Sequence, residues 1–296
     1  MSNRKDNLLG FALVLPSIVA VGIFVYGFIA WSVRVSFSQW KGLTPDYTFV
    51  GLKNYLGLFQ DPRFLIDVRN TVIFTLVFVL GSLLLGLGLA ILLDQRLPGE
   101  AFFRSLFLFP MAISFIVTGV VWRWMMNPAA GDRISGFNLI FAQLRLDFLI
   151  SQWHLTPNWG IAAIALAAIW QMSGYTMALY LGGLRSISEE LREAARVDGA
   201  SELQIYWRII LPLLWPVTLS AVIILGHISL KVFDLIIAVA GKQLPLDVPA
   251  IYMFETTFRG NHYSRGAVIS MVMLLLVAVV IVPYLLTTFR REKGGR

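Results

Sequence analysis

The chain has 296 residues, 57% hydrophobic and 14% charged, with a mean hydropathy of +0.74. One water-soluble core of this size could not bury that much apolar sequence, so a membrane is the expected solvent. Zero cysteines exclude disulfides, thiolate metal sites and cysteine nucleophiles, and a formal charge of +7 fits basic flanks against anionic lipid rather than nucleic acid.

Arg4 and Lys5 precede a run, bounded by Asp6 and Arg34, without a charged residue. It is long enough to cross a bilayer of about 30 Å, and roughly twice the length of a signal-peptide core. An uncleaved first span over 8–33 is therefore expected. A turn-rich loop follows, with Thr44-Pro45-Asp46 and Gln60-Asp61-Pro62. The second span, 70–93, is rich in Leu and Gly, which allows close helix packing. A charged link with Arg96, Pro98, Glu100 and Arg104 leads to the third span, 105–126, where Pro110 is expected to kink the helix. A polar loop occupies 127–158. Trp122, Trp124, Trp153 and Trp159 stand where an interfacial aromatic belt would be.

The fourth span is expected over 160–184, the fifth over 213–240 and the sixth over 266–289, before a basic tail. Between spans four and five lies a patterned charged stretch, 186–212. Ser186-Ile187-Ser188-Glu189 has the pattern of a capping box, and Glu189/Arg192 and Glu193/Arg196 have helical pair spacing. Gly199 is placed to end this helix in a left-handed turn after Asp198. Ser201-Glu202-Leu203-Gln204 begins a second short helix, and Leu211-Pro212 closes the segment. The expected fold is an all-α integral membrane protein of one domain, with six transmembrane helices and a cytoplasmic coupling elbow between helices four and five.

Six spans place both termini on one side. Twelve of the 24 Lys and Arg residues fall in the termini, the 94–104 link and the elbow. These are short segments next to spans, so the positive-inside rule puts them in the cytoplasm.

Intramembrane polar residues point to a solute path. Gln171 lies about 11 residues, near 17 Å, below the outer end of span four. Trp170 and Tyr175 flank it. A carboxamide beside aromatic faces suits a sugar; the same group also suits a helix–helix hydrogen bond. Ser114 and Thr118 stand one turn apart on span three, able to face solute or to bond their own helix carbonyls. His227 lies about 14 residues, some 21 Å, above the start of span five. Lys231 and Asp234 are spaced as neighbours on one helical face, as a structural ion pair, a snorkelling lysine or a gate contact.

No Gly-x-x-x-x-Gly-Lys-Ser/Thr phosphate loop occurs, so this chain is not expected to hydrolyse ATP, and no catalytic residue is assigned. His154, His227 and His262 lack ligand spacing, so no metal site is expected. Neither Gly-x-Ser-x-Gly nor His-Glu-x-x-His occurs.

Glu193-Ala194-Ala195, three residues, Gly199, nine residues and then Ile209-Ile210-Leu211-Pro212 resembles the EAA loop of ABC-importer permeases. Gly51-Leu52-Lys53-Asn54-Tyr55, Leu108-Phe109-Pro110 and Lys231-Val232-Phe233-Asp234-Leu235-Ile236 also resemble phrases of the maltose-type carbohydrate permeases. The chain departs where Ala240-Gly241-Lys242-Gln243-Leu244-Pro245 replaces the usual Gly-Gly-Pro loop, and where Ser188 stands for a common proline. The resemblance covers nearly the whole chain. It implies a permease subunit of an ATP-driven sugar importer in a prokaryotic cytoplasmic membrane, working by alternating access. Its implied partners are two copies of an ABC ATPase that bind ATP and Mg, a second homologous permease and a periplasmic or lipid-anchored solute-binding protein. It implies coupling to the ATPase through Glu189, Glu193, Ala194, Ala195, Asp198, Gly199, Leu211 and Pro212.

Two other readings stand beside it. A permease for a glycerol-phosphate ester would want a midplane arginine, and a channel or secondary transporter often carries midplane carboxylates; neither is present in the sequence at those depths.

Overall fold

The computed structural model describes residues 4–95, 98–129, 131–156 and 158–294. Arg96 and Arg296, two of the cations counted above, lie outside them. Among the described residues the regular structure is helical, apart from a single antiparallel bridge between Ser38 and Phe49.

Helix α1 (Arg4–Val21) runs through a π-helical stretch, Gly22–Gly27, into α2 (Phe28–Ser36). Its most apolar window is not buried within the chain at all. After α3 (Lys53–Phe59), helix α4 (Pro62–Asp94) continues for 33 residues. Pro62 takes the first helical position, where a missing N–H breaks no helix bond.

The expected third span is not one helix. α5 (Glu100–Leu108) passes through a 3₁₀ turn at Phe109–Ala112 and stops; α6 (Phe115–Met125) then leaves at 99°. Pro110 sits inside the 3₁₀ turn, and the break falls three residues later. Ile113 and Ser114 are extended, at ψ 140° and 150°. Ser114 Oγ accepts the Val117 N–H at 3.3 Å, so a side chain replaces the lost helical acceptor.

The 127–158 loop holds α7 (Gly136–Gln143), and α8 (Gly160–Ser186) is an uninterrupted span. The elbow comprises α9 (Glu189–Val197), α10 (Glu202–Ile205), a π-helical turn at Tyr206–Ile210 and α11 (Leu211–Leu213). The fifth region is also interrupted. α12 (Trp215–Leu230) is closed by Lys231, and α13 (Asp234–Ala240) begins after three non-helical residues, 231–233. Last come α14 (Pro249–Phe254) and α15 (Tyr263–Gly294), whose apolar stretch covers Tyr263–Val279. Among the described residues the apolar regions are thus three uninterrupted long helices, two bent pairs and the start of α15.

The chain forms two compact units. The first joins Met1–Leu65 to Pro249–Leu275. Its core contains Leu58, Phe64, Tyr252, Val268 and Ile269. Its loop is pinned by the Asn54 amide, which donates to the Ser36 and Ser38 carbonyls at 2.9 and 2.8 Å, and by Trp40 packing against Tyr263.

The second unit joins Ile66–Val248 to Leu276–Arg296. There α4 and α8 approach closely. A Cβ on Gly86 would lie 2.0 Å from Thr176 Oγ1, so only glycine lets the two backbones meet. The Thr176 hydroxyl donates to the Ser82 carbonyl at 2.7 Å across the same seam.

Candidate functional site

The elbow is built by its own capping chemistry. Ser188, not Ser186, is the cap of α9: its Oγ accepts the Glu190 N–H at 3.2 Å. Ser186 ends α8 and its hydroxyl donates to the Gly183 carbonyl. The expected box is therefore replaced by a single serine cap two residues later, because α8 runs on to Ser186 and Leu191 stands where a box would need Glu or Gln.

At the far end Gly199 adopts φ +81°, and the N–H groups of Gly199 and Ala200 return to the carbonyls of Arg196 and Ala195, each at 3.0 Å. That pair of bonds is a Schellman closure, which needs a left-handed residue. Ser201 and Gln204 form a reciprocal capping box at the start of α10.

One side of the elbow is rooted in the molecule. Ala195, Ile205 and Ile210 share a buried cluster with Ala90, Leu93, Met177, Tyr180 and Leu184. The other side faces out. Glu193, Ala194 and Asp198 are exposed, as are Val197 at 87% and Leu203 at 69%. Glu189 and Pro212 are also exposed, and Leu211 is half-buried.

The expected Glu189/Arg192 and Glu193/Arg196 pairs do not form. Arg196 instead holds Glu202 at 2.7 Å and Glu189 at 3.5 Å. The Arg196 hydrogen bond keeps the Glu202 carboxyl below its usual range. Arg192 turns inward to Asp94 at 2.9 Å. Glu193 is left with no ion pair among the described residues, so its carboxylate is available on the outward face.

The polar residues proposed for a solute path are dispersed. Gln171 is buried, and its amide donates to the Ile113 carbonyl at 2.5 Å. It therefore brackets the break between α5 and α6, making the helix–helix hydrogen bond that the sequence also allowed. Trp170 packs against Trp122 at 6.0 Å between ring centroids. Tyr175 is half-buried. Ser114 is an exposed cap, whereas Thr118 is buried with no partner for its hydroxyl among the described residues. His227 is half-buried, and its Nδ1 likewise lacks a partner.

Lys231 and Asp234 are not neighbours on one helix, because α12 stops at the first and α13 starts at the second. Both line a cavity of about 190 Å³ with Phe74, Phe78, Phe115 and Phe233. The cavity thus sets two exposed charged side chains beside four aromatic rings.

Sequence reasoning missed three contacts. The buried Asn70 amide donates to the carbonyls of Pro245 and Asp247 at 2.9 and 2.8 Å, anchoring the departing 240–245 loop to α4. Trp122 and Trp153 join Phe137 and Phe141 in a ring cluster, leaving only Trp124 and Trp159 exposed as belt residues would be. Asp61, Tyr252 and Arg265 form a hydrogen-bonded triad. No local pattern in the sequence encodes pairings across 191 or 204 positions.

Residues 82–293 match the family described as binding-protein-dependent transport system inner membrane component. A probable ABC transporter permease protein of Pyrococcus horikoshii is 43% identical over 95% of each chain. The xylose/arabinose import permease protein XacH of Haloferax volcanii is 36% identical, covering 94% of this chain and 86% of the relative. Among solved structures, a bacterial alginate ABC transporter in complex with an alginate pentasaccharide-bound periplasmic protein superposes with a TM-score of 0.76, at 22% identity and 93% of each chain. The all-helical elbow-bearing fold is thus that of a transport permease, not an enzyme. This chain belongs to the inner-membrane components of binding-protein-dependent ABC transport systems.

Proposed function

We propose that this permease forms half of the membrane pathway of an ATP-driven sugar importer and takes its driving motion from a separate ATPase through the elbow. The observation that carries the reading is the elbow itself: a capped, self-closed helix pair with a buried root and an outward face of Glu193, Ala194, Val197 and Asp198. Glu193 is positioned for contact and Gly199 for geometry, Ala195 belongs to the root, and Leu211 opens the short helix that follows it. Glu189 supports Arg196 from within the elbow, and Pro212 starts the return into the membrane.

The named import of xylose and arabinose by a relative supports a sugar as solute. So does the cavity at the α12–α13 break, where aromatic faces suit sugar C–H groups and Lys231 and Asp234 suit hydroxyls. Trp170, Gln171 and Tyr175 would shape this pathway from α8 rather than all touching solute. A second permease completes the pathway, a binding protein delivers the solute, and ATP with Mg is held by two ATPase copies. The elbow and both termini then lie in the cytoplasm. ATP-driven closure of the ATPase pair would push the elbow and open the pathway outward; hydrolysis would return it.

The test is isolation of this chain from its native membrane in mild detergent, with identification of what accompanies it. A Walker-motif ATPase and a second EAA-bearing permease are expected. Recovery of the chain alone, under conditions that keep a known ABC complex intact, would overturn the proposal.

A further inference from the structure

We infer that the largely enclosed Asp94–Arg192 ion pair is the link that makes α4 follow the elbow, so that both residues are positioning residues for transport. The inference rests on the reading of the elbow as the ATPase contact.

Arg192 stands in α9, and its Nη1 donates to Asp94 Oδ2, on the last residue of α4, at 2.9 Å. The two side chains are only 12% and 10% exposed. Nη2 of the same guanidinium reaches the Leu184 carbonyl near the end of α8 at 3.4 Å. One side chain thus joins three helices that are 98 residues apart at the widest.

The chain itself carries elbow motion into α8 on one side and, through Pro212, into α12 on the other. Helix α4 has no such connection and depends on non-covalent contact. The apolar cluster of Ala90, Leu93, Ala195 and Ile205 supplies adhesion there. Apolar contact is not directional, though, and allows surfaces to slide. A hydrogen-bonded ion pair has a fixed geometry, so it resists sliding as well as separation, and at 12% and 10% exposure it is screened far less than a surface pair.

The other ion pairs of the region cannot do this work. Arg196 with Glu202 and Glu189 ties the elbow to itself, and those side chains are 45–62% exposed. Arg185–Glu100, at 2.8 Å, ties the end of α8 to α5 and leaves Arg185 39% exposed. Such exposed pairs contribute little.

The chain has no cysteine, so two can be introduced as unique spin-label sites. Leu92→Cys lies on the exposed side of α4, and Arg208→Cys on the exposed second limb of the elbow. The distance between them is measured by pulsed electron spin resonance in the complete complex with its ATPase, before and after MgATP. With Asp94 and Arg192 intact, the distance is expected to stay the same. With Arg192→Gln or Asp94→Asn it should shift or broaden on MgATP, while uptake falls about tenfold, the scale of ordinary coupling energies. The exchange Asp94→Arg with Arg192→Asp should restore both.

An unchanged distance in the single variants would overturn the inference. So would a shift in the unsubstituted pair, or an exchange that restores assembly but not the fixed distance. If the unsubstituted chain fails to bring down an ATPase at all, the proposed function fails, and this inference with it.

Discussion

Gly199 has nothing within 4 Å of where a Cβ would stand, yet its φ is +81°. A larger residue would meet no clash; the penalty is backbone strain, about 1–2 kcal/mol in the left-handed region. Gly199→Val should therefore insert normally and lose uptake, whereas Gly199→Asn should keep part of it, since asparagine tolerates this conformation. Normal uptake by the valine variant at equal membrane level would refute the geometric role. Asp61 offers a pH prediction. Burial pushes its carboxyl up, but hydrogen bonds from the Tyr252 hydroxyl and the Arg63 amide, together with Arg265, hold it below the usual 3.8. Burial first, then the Asp61 hydrogen bond, pushes Tyr252 up to about 12. A carboxyl depressed in the folded state stabilises above its unfolded pKa and loses that contribution as pH falls through the folded one. Asp61→Asn should lower the Tm in detergent at pH 7, and the gap to the parent should close below about pH 4. A gap that persists in acid would mean that charge at Asp61 is irrelevant.

At the scale of elements, the break between α5 and α6 separates two readings of Gln171. If its amide serves the Ile113 carbonyl, Gln171→Ala strands a buried acceptor at a cost of about 1–3 kcal/mol. The Tm should fall while the KM for solute stays unchanged; a raised KM with an unchanged Tm would return Gln171 to the solute. The location of the break can be checked separately. Ser114→Ala removes a helix cap worth about 1 kcal/mol, whereas Pro110→Ala, inside the 3₁₀ turn, should alter stability less. A larger effect at Pro110 would move the hinge there. The apolar regions were legible because hydropathy reports what lies in lipid. It does not report a bend: Ile113 and Ser114 differ too little from their neighbours, and Lys231 to Asp234 kept a helical spacing across a break. The elbow was legible to within two residues because serine caps and a glycine turn are local chemistry. Ser186 misled because the same residue type suits the end of one helix and the cap of the next.

For the whole molecule, the proposed function puts the energy source in another chain. Disabling the Walker lysine of the partner ATPase should reduce uptake to background, while a protonophore should leave uptake intact if ATP is held constant. The reverse pattern would indicate a secondary transporter. What joins distant segments was not legible. Arg192 was expected to pair with Glu189 three residues away, and instead pairs with Asp94; only tertiary packing decides which of two carboxylates lies on the buried side. The polar residues expected along a solute path could be named from the sequence but not placed together, since Gln171 and Ser114 are absent from the lining of the cavity that Lys231 and Asp234 share.

The closures of the elbow have one more consequence. Its first helix is capped by Ser188, its turn by Gly199 and its second helix by Ser201 and Gln204, all from within the segment. A recognition element that already holds its bound shape does not lose backbone freedom on contact, a loss of about 1–2 kcal/mol for each residue that must otherwise be ordered. Such an element can grip through a small footprint and let go without unravelling, and the proposed cycle of pushing and release would require both.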